Sequence, residues 1–125
     1  MKPKRIALII DDEKQIRRLL RLALERADYQ VFEAETGQTG LDEIVYRRPE
    51  IVVLDLGLPD MEGVKVLRAL REWSDVPDVI LSVRDDAEEK VEALDAGADE
   101  YVNTPFYTPE LLARIRATQS HSLTD

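Results

Sequence analysis

Short aliphatic runs alternate with longer amphipathic segments five times along this chain, and this alternation limits the folds it can adopt. Strand-like runs lie at Arg5–Ile10, Gln30–Glu33, Ile51–Leu54, Val79–Ser82 and Tyr101–Val102. Three of them are uninterrupted aliphatics, which is typical of parallel strands covered by helices on both faces. Repeated strand–helix units with right-handed crossovers predict an α/β fold, a doubly wound five-stranded parallel sheet with five helices.

Helical spacing of apolar residues fills the segments between the strands. Ile16, Leu20 and Leu24 belong to the first such stripe. We expect Thr36, Asp85 and Thr108 to cap the second, fourth and fifth helices. From Ser120 the sequence is polar and without pattern, so we predict one domain over residues 1–119 and a polar tail or linker stub over 120–125.

Composition excludes several classes of function. The chain has no cysteine, so disulfides, zinc thiolate sites and thiol catalysis are excluded. Its net charge of −9 opposes binding to a phosphate backbone, so no direct nucleic-acid binding is expected of this domain. No apolar run approaches the roughly 20 residues of a membrane span, and the N-terminus does not resemble a signal peptide, so a cytoplasmic location is expected.

Acidic residues follow two of the predicted strands. Asp11 and Asp12 follow the first strand, Asp55 follows the third, and Ser82 ends the fourth. In a doubly wound sheet the functional site lies at the carboxyl ends of the strands, where the strand order reverses. Clustered carboxylates there would bind a divalent cation such as Mg²⁺, and one of them could attack a phosphoryl group. The alternative is that Asp11 and Asp12 only cap the first helix.

These residues belong to runs that resemble a known family. Ile-Asp-Asp-Glu at 10–13, Val-Leu-Asp-Leu-Gly-Leu-Pro-Asp at 53–60, Leu-Ser at 81–82 and Ala-Gly-Ala-Asp-Glu-Tyr at 96–101 are similar to the receiver domain of bacterial response regulators. That domain has a flavodoxin-like (CheY-like) fold. The segments 31–36, 55–60 and 71–77 most resemble the OmpR/PhoB-type regulators of potassium-uptake operons.

The resemblance implies a signalling domain of a two-component system rather than an enzyme. Asp55 would accept a phosphoryl group from a sensor histidine kinase, Ser82 would donate a hydrogen bond to that group, and Tyr101 would be an aromatic switch. The Mg²⁺ ligands it implies, besides Asp55, are Asp12 directly, Asp11 largely through water, and the backbone carbonyl of Gly57.

The chain departs from the family pattern at three positions. Thr104 stands where receivers carry a lysine that pairs with the phosphoryl group, and Val83 replaces a small residue and would crowd the phosphoryl site. Asp78 occupies a normally apolar position, where we expect it to face solvent. Thr104 and Val83 support an alternative function, an atypical receiver that acts as a phosphorylation-independent interaction module.

The resemblance also implies a homodimer through the fourth helix, fifth strand and fifth helix. A small apolar centre would be surrounded by cross-subunit ion pairs such as Lys90–Glu110, although solvated helix faces would explain the same charges. The residues of this predicted dimer face are Lys90, Val91, Leu94, Asp95, Asp99, Glu100, Glu110, Ala113, Arg114 and Arg116.

Other features have simpler interpretations. Arg17, Arg18 and Arg21 form a basic strip that faces either a kinase domain or solvent, and Trp73 and Tyr29 are interpreted as packing at the edge of the core. A flavodoxin-like cofactor binder would need a phosphate-cradling loop after the first strand, where this chain has acidic residues. A phosphohydrolase would need a general acid or base near Asp55, and no such residue is evident.

Overall fold

The computed structural model describes residues 4–83 and 87–124, with side chains described up to residue 119. The predicted α/β fold is confirmed, because strands and helices alternate along the chain. The elements are β1 Arg5–Ile10, α1 Lys14–Arg26, β2 Tyr29–Ala34, α2 Gly37–Arg47, β3 Ile51–Asp55, α3 Gly63–Arg71, β4 Asp78–Ser82, α4 Ala87–Asp95, β5 Glu100–Asn103 and α5 Thr108–Thr124.

All strand pairs are parallel, and the strand order is β2-β1-β3-β4-β5. The order therefore reverses between β1 and β3. Leu8 pairs with Val52 and Ile10 with Leu54, so the carboxyl ends of these two strands lie side by side. This register positions the residues that follow β1 next to the last residue of β3.

Alternate residues of the central strands supply two separate cores. Ala7 and Ile9 of β1 face one core with apolar residues of α1 and α5, whereas Leu8 and Ile10 face the other with residues of α2 and α3. All four are fully buried. Because both faces of β1 and β3 are covered, these strands contain continuous aliphatic runs instead of an alternating pattern.

The predicted cap of α2 is confirmed, whereas Thr108, the predicted cap of α5, is the first residue of that helix. Thr36 caps α2 in a capping box with Thr39, as expected for a β-region N-cap threonine. The predicted cap Asp85 lies outside the described residues. Helix α5 extends to Thr124, so residues 120–124 of the predicted polar tail are helical. No helix within the described ranges has both the length and the apolar character that a membrane crossing requires.

Asp78 is fully buried, so the prediction that it faces solvent is wrong. Arg71, at the end of α3, donates hydrogen bonds to the carboxylates of Asp78 and, at 3.2 Å, Asp99, and to the carbonyl of Gly97 at 3.0 Å. The backbone N–H groups of Asp78 and Asp99 each donate to the other's carboxylate at 3.1 Å. This Arg71 cluster joins α3, β4 and the loop before β5, and a partner for Asp78 explains its burial.

Burial raises the pKa of Asp78 to about 8, and the neighbouring Asp99 carboxylate adds to this effect while Arg71 opposes it. One carboxylate oxygen of Asp78, Oδ2, is buried and has no hydrogen-bond partner among the described residues. The cluster therefore has one positive charge, on Arg71, for the two carboxylates of Asp78 and Asp99.

The predicted basic strip and the predicted packing of Trp73 differ from the structure. Arg17 is buried and binds the carbonyl of Asp11 at 2.9 Å and the carboxylate of Glu33 at 2.9 Å. Arg21 binds Glu33 as well, because α1 lies against β2 and directs this face of the helix towards the strand. Trp73 is 51% exposed, whereas Tyr29 is buried as expected.

Candidate functional site

Three aspartates meet where the strand order reverses. Carboxylate oxygens of Asp11, Asp12 and Asp55 all lie within 4.8 Å of one another. Asp11 is buried, and one of its oxygens accepts a hydrogen bond from the Glu13 N–H at 2.8 Å, which fixes the carboxylate just before α1. The geometry predicted from the sequence is present. The alternative of a capping role finds no support, because the N-cap of α1 is Glu13 and no side chain caps the helix.

Crowding and burial perturb the acidity of this cluster. Burial raises the pKa of Asp11 to about 7, with the Asp55 and Asp12 charges adding to the rise and the Glu13 N–H opposing it. Burial also raises the pKa of Asp55, with Asp12 contributing, although a hydrogen bond from the Gly57 N–H at 3.2 Å works in the other direction. Asp11 and Asp55 therefore bind protons at a pH at which isolated aspartates would be ionised.

The donor set fits a hard divalent cation. Mg²⁺ binds carboxylate oxygens and keeps several water molecules. Three carboxylates converge here, and the pKa values of two of them are raised, so the site lacks the positive charge that such an ion supplies. Asp11, Asp12 and Asp55 would hold it. The fourth predicted ligand, the carbonyl of Gly57, stays a prediction.

The loop after β3 is fixed by close packing. A Cβ atom on Gly63 would lie 2.5 Å from the Cα atom of Leu56 and 2.7 Å from the carbonyl oxygen of Asp55, so only glycine fits there. Asp60 in the same loop accepts hydrogen bonds from the N–H groups of Gly37 and Gln38 at 2.8 and 3.0 Å, which lowers its pKa. The loop is thus anchored to the start of α2, and this holds Asp55 at the site.

A cavity of about 540 Å³ opens beside Asp55. Among the described residues its lining contains no lysine or arginine. The acidic residues in the lining are Asp12, Glu13, Asp55, Glu62, Glu88, Glu89 and Glu92. A phosphoryl group that enters this cavity therefore meets a strongly negative field unless a cation is bound.

Ser82 is buried at the end of β4 and lines the same cavity, as the sequence predicts. Val83 also lines it, but 76% of Val83 is exposed, so this side chain lies at the cavity mouth. Thr104 is tied to Ser82 through its backbone, since its N–H donates to the Ser82 carbonyl at 2.8 Å across the β4–β5 pair. The Thr104 hydroxyl is buried, has no hydrogen-bond partner among the described residues, and does not line the cavity.

Glu89 is a site residue that the sequence analysis did not identify. It lies in the first turn of α4, and one oxygen of its carboxylate accepts hydrogen bonds from the Ser82 hydroxyl at 2.6 Å and the Tyr101 hydroxyl at 3.2 Å. We call this arrangement the Glu89 bridge. Glu89 lies seven positions after Ser82, and the two meet because the first turn of α4 lies beside the end of β4. The sequence gives no signal for it beyond an acidic residue at a helix start.

The predicted dimer face is partly occupied by contacts within the chain. Val91 and Leu94 of α4 are 56% and 45% exposed. Arg114 pairs with Glu100 at 3.2 Å and with Glu110 at 3.7 Å. Asp99 belongs to the Arg71 cluster, and its carboxylate already has partners within the chain. Lys90 lies 5.8 Å from the centre of the Tyr101 ring, and the remaining residues of the face, Asp95, Ala113 and Arg116, are exposed.

Comparison with known proteins agrees with this geometry. Residues 7–116 match the family described as the response regulator receiver domain. The chain is 52% identical over 118 residues to the KDP operon transcriptional regulatory protein KdpE of Escherichia coli K12, covering 94% of this chain and 52% of that protein. It is also 52% identical over 112 residues to KdpE of Mycobacterium tuberculosis H37Rv, covering 90% and 50%.

A solved structure shows the same fold. The CheY-like response regulator receiver domain protein of Methanospirillum hungatei superposes with a TM-score of 0.90 at 28% identity, covering 98% of this chain and 100% of that one. The similarity to potassium-operon regulators predicted from the three sequence segments is confirmed by the KdpE matches. The chain spans about half the length of the curated relatives it matches.

Proposed function

Because this chain belongs to the response-regulator receiver family, we propose that it accepts a phosphoryl group on Asp55 from a phosphohistidine of a sensor histidine kinase. The observation that carries this proposal is the convergence of Asp11, Asp12 and Asp55 at the reversal of strand order, beside a cavity that Ser82 also lines. A bound Mg²⁺ would neutralise the carboxylates and the incoming phosphoryl oxygens.

The residues of the chain have separable roles in this transfer. A carboxylate oxygen of Asp55 attacks the phosphorus, the bond between phosphorus and the histidine nitrogen breaks, and the imidazole takes a proton from solvent. The hydrogen bond from the Gly57 N–H stabilises the ionised, nucleophilic form of Asp55. The Ser82 hydroxyl donates to a phosphoryl oxygen once the acyl phosphate has formed.

Thr104 leaves the phosphoryl group without the lysine contact typical of the family. A charge-assisted hydrogen bond contributes about 1.5–3 kcal/mol, so the phosphorylated state is less favoured than in a lysine-bearing receiver. The comparisons give no support to the alternative of a phosphorylation-independent interaction module. We therefore propose that Thr104 lowers the extent of phosphorylation and leaves the class of function unchanged.

Intact-protein mass after incubation with acetyl phosphate and Mg²⁺ tests the phosphoacceptor role. We expect one phosphoryl group on the parent protein and none on an Asp55→Ala variant. Omission of Mg²⁺ should strongly reduce the addition to the parent, because the carboxylate cluster then repels the donor. No mass increase at any donor concentration, in a protein that still binds Mg²⁺, would contradict the proposal.

Phosphorylation would act by changing how two copies of the chain associate. The relatives named KdpE are transcriptional regulatory proteins about twice as long as this chain, and we propose that this receiver controls the output of such a regulator as a homodimer. The exposed Val91 and Leu94 supply an apolar centre, and Lys90 and Glu110 lie on the helices that would meet across a two-fold axis.

A charge exchange tests the proposed dimer face. Lys90→Glu and Glu110→Lys should each shift the phosphorylated protein towards monomer in analytical ultracentrifugation, because like charges would then face each other. The double variant should recover dimer, since the pair is restored with its signs reversed. Equal dimerisation of all four proteins would exclude the Lys90–Glu110 pair from the interface.

A further inference from the structure

The Glu89 bridge links three elements through one carboxylate oxygen. Ser82 is the last residue of β4, Tyr101 lies in β5 opposite Ile80 of β4, and Glu89 lies in the first turn of α4. Ser82 is buried and Glu89 is half-buried, so these hydrogen bonds form where solvent competes less than at the surface. The bridge therefore helps to fix the start of α4 against the sheet.

Helix α4 buries few of its side chains against the core. Ala93 is its only buried residue, whereas α3, a helix of the same length of nine residues, buries Gly63, Val64, Val66, Leu67 and Leu70. A helix with so little apolar burial has a low local free energy of opening. Its position thus depends on polar contacts to a larger extent than that of α3, and the Glu89 bridge is such a contact at its first turn.

The phosphoryl group and Glu89 need the same hydrogen atom. The Ser82 hydroxyl has one hydrogen to donate, and in the structure it is directed to the Glu89 carboxylate at 2.6 Å. A phosphoryl group on Asp55 would be a second anion in the same cavity, which Glu89 also lines. Two anions cannot both receive this hydrogen, and their charges repel each other.

From this competition we infer that Glu89 is a positioning residue that holds the domain in its unphosphorylated conformation, by retaining the hydroxyls of both Ser82 and Tyr101. The inference rests on the proposed phosphorylation of Asp55. When Ser82 transfers its hydrogen bond to the phosphoryl group, the bridge loses its shorter contact, and its hold on Tyr101 and on the first turn of α4 weakens. Lys90, the next residue along, belongs to the predicted dimer face, so release of the bridge changes that face directly.

The test compares two variants that remove the same charge from the same helix. Glu89→Gln keeps the size of the side chain but removes the charge that strengthens both hydrogen bonds. Glu92→Gln removes a charge that also lines the cavity, but among the described residues Glu92 pairs with Arg68 alone, at 4.0 Å. Each protein is titrated with beryllium fluoride in the presence of Mg²⁺, and the bound phosphoryl analogue is measured by ¹⁹F NMR.

We expect Glu89→Gln to bind beryllium fluoride about tenfold more tightly than the parent, because loss of about 1.4 kcal/mol of competing interaction changes a dissociation constant tenfold. Glu92→Gln should change the affinity by less than about threefold, as a partly exposed charge acts through a screened field. Equal changes of affinity in the two variants would mean that Glu89 acts only through its charge, and would overturn the inference. Weaker binding by Glu89→Gln would overturn it as well.

A second measurement on the unphosphorylated protein separates this inference from the proposed function. The ring signals of Tyr101, assigned in ¹H–¹³C NMR spectra with a Tyr101→Phe variant, should move in Glu89→Gln and stay unchanged in Glu92→Gln. Tyr101 signals that do not respond to Glu89→Gln would overturn the bridge itself. If no variant binds beryllium fluoride or gains a phosphoryl group, the proposed function fails, and the control of phosphorylation by Glu89 fails with it even where the Tyr101 signals move.

Discussion

Replacing Arg71 with alanine should destabilise the domain by about 3–5 kcal/mol at pH 9, the cost of removing one partner from a buried ion pair. The structure supports a value in this range. Arg71 is 18% exposed and contacts the fully buried Asp78, and also Asp99, Gly97 and Ser74. Without Arg71, a charged Asp78 carboxylate would keep the Asp99 N–H as its hydrogen-bond donor among the described residues, so the folded protein would either hold a poorly compensated buried charge or take up a proton at pH 9.

The pH dependence of this effect has a definite sign. The pKa of Asp78 is about 8 in the folded protein and 3.8 for a free side chain, so the folded state binds the extra proton between these values. The stability that Asp78 contributes is therefore complete below about pH 4 and is lost as the pH rises through about 8. Removing Arg71 raises the pKa of Asp78 further, because the charge of Arg71 lowers it, as does the hydrogen bond from the Asp99 N–H. The cost of Arg71→Ala at pH 5, where Asp78 is protonated, should be closer to about 1–2 kcal/mol.

Urea unfolding followed by far-UV circular dichroism measures both values. With a denaturant slope of about 1–3 kcal/mol/M, the midpoint of Arg71→Ala should fall by at least about 1 M at pH 9. Arg68→Ala is the matched control, since Arg68 is 57% exposed and lies 4.0 Å from Glu92, and its midpoint should scarcely move. A shift of Arg71→Ala no larger than that of Arg68→Ala, or a larger cost at pH 5 than at pH 9, would refute this reasoning.

Three further predictions concern the site and its loop. Mg²⁺ at a hundredfold excess over its dissociation constant should stabilise the parent by about 2.7 kcal/mol in thermal unfolding, and a similar gain in Asp12→Asn would place the ion elsewhere. Thr104→Lys should strengthen beryllium fluoride binding about tenfold by adding a cation, while Thr104→Met, of similar length but uncharged, should not; equal effects would show that length alone matters. Gly63→Ala should lower the free energy of unfolding in urea by about 1–3 kcal/mol, because its Cβ would meet the backbone of Leu56. Gly57→Ala should be tolerated, since its Cβ would come no closer than 3.9 Å to Asp55. Equal costs for the two variants would contradict the packing argument.

The alternation of apolar runs predicted each strand to within one or two residues, and it placed the three aspartates at one edge of the sheet. Both features depend on local periodicity and on the general rule for the carboxyl ends of parallel strands, so they are visible in a single sequence. The burial of Asp78 is not visible in the sequence, because its partners come from two other parts of the chain. Arg71 lies at the end of α3, and Asp99 lies in the loop before β5.

Polar contacts of this kind have no period in the sequence. The roles of Arg17 and Glu89 were missed for the same reason, as each depends on which residues of a neighbouring element lie opposite a helix face. Trp73 follows the end of α3, and its large apolar side chain suggested packing at the edge of the core. In the structure the side chain of Trp73 remains half exposed. Residue type predicts which side chains can be buried, and the packed structure determines which of them are.

The sequence that allows the central strands to be buried on both faces also makes the unfolded chain prone to aggregate. Ile6–Ile10 and Ile51–Leu54 are uncharged, strongly β-forming segments, the composition that promotes aggregation of unfolded chains. Charged residues stand on both sides of each segment, and Asp55 ends the second. Replacing Asp55 with alanine extends the uncharged stretch from Ile51 to Pro59. The proposed phosphoacceptor is thus also a residue that keeps the unfolded chain soluble, and Asp55→Ala should refold with a lower yield than Asp12→Ala at high protein concentration.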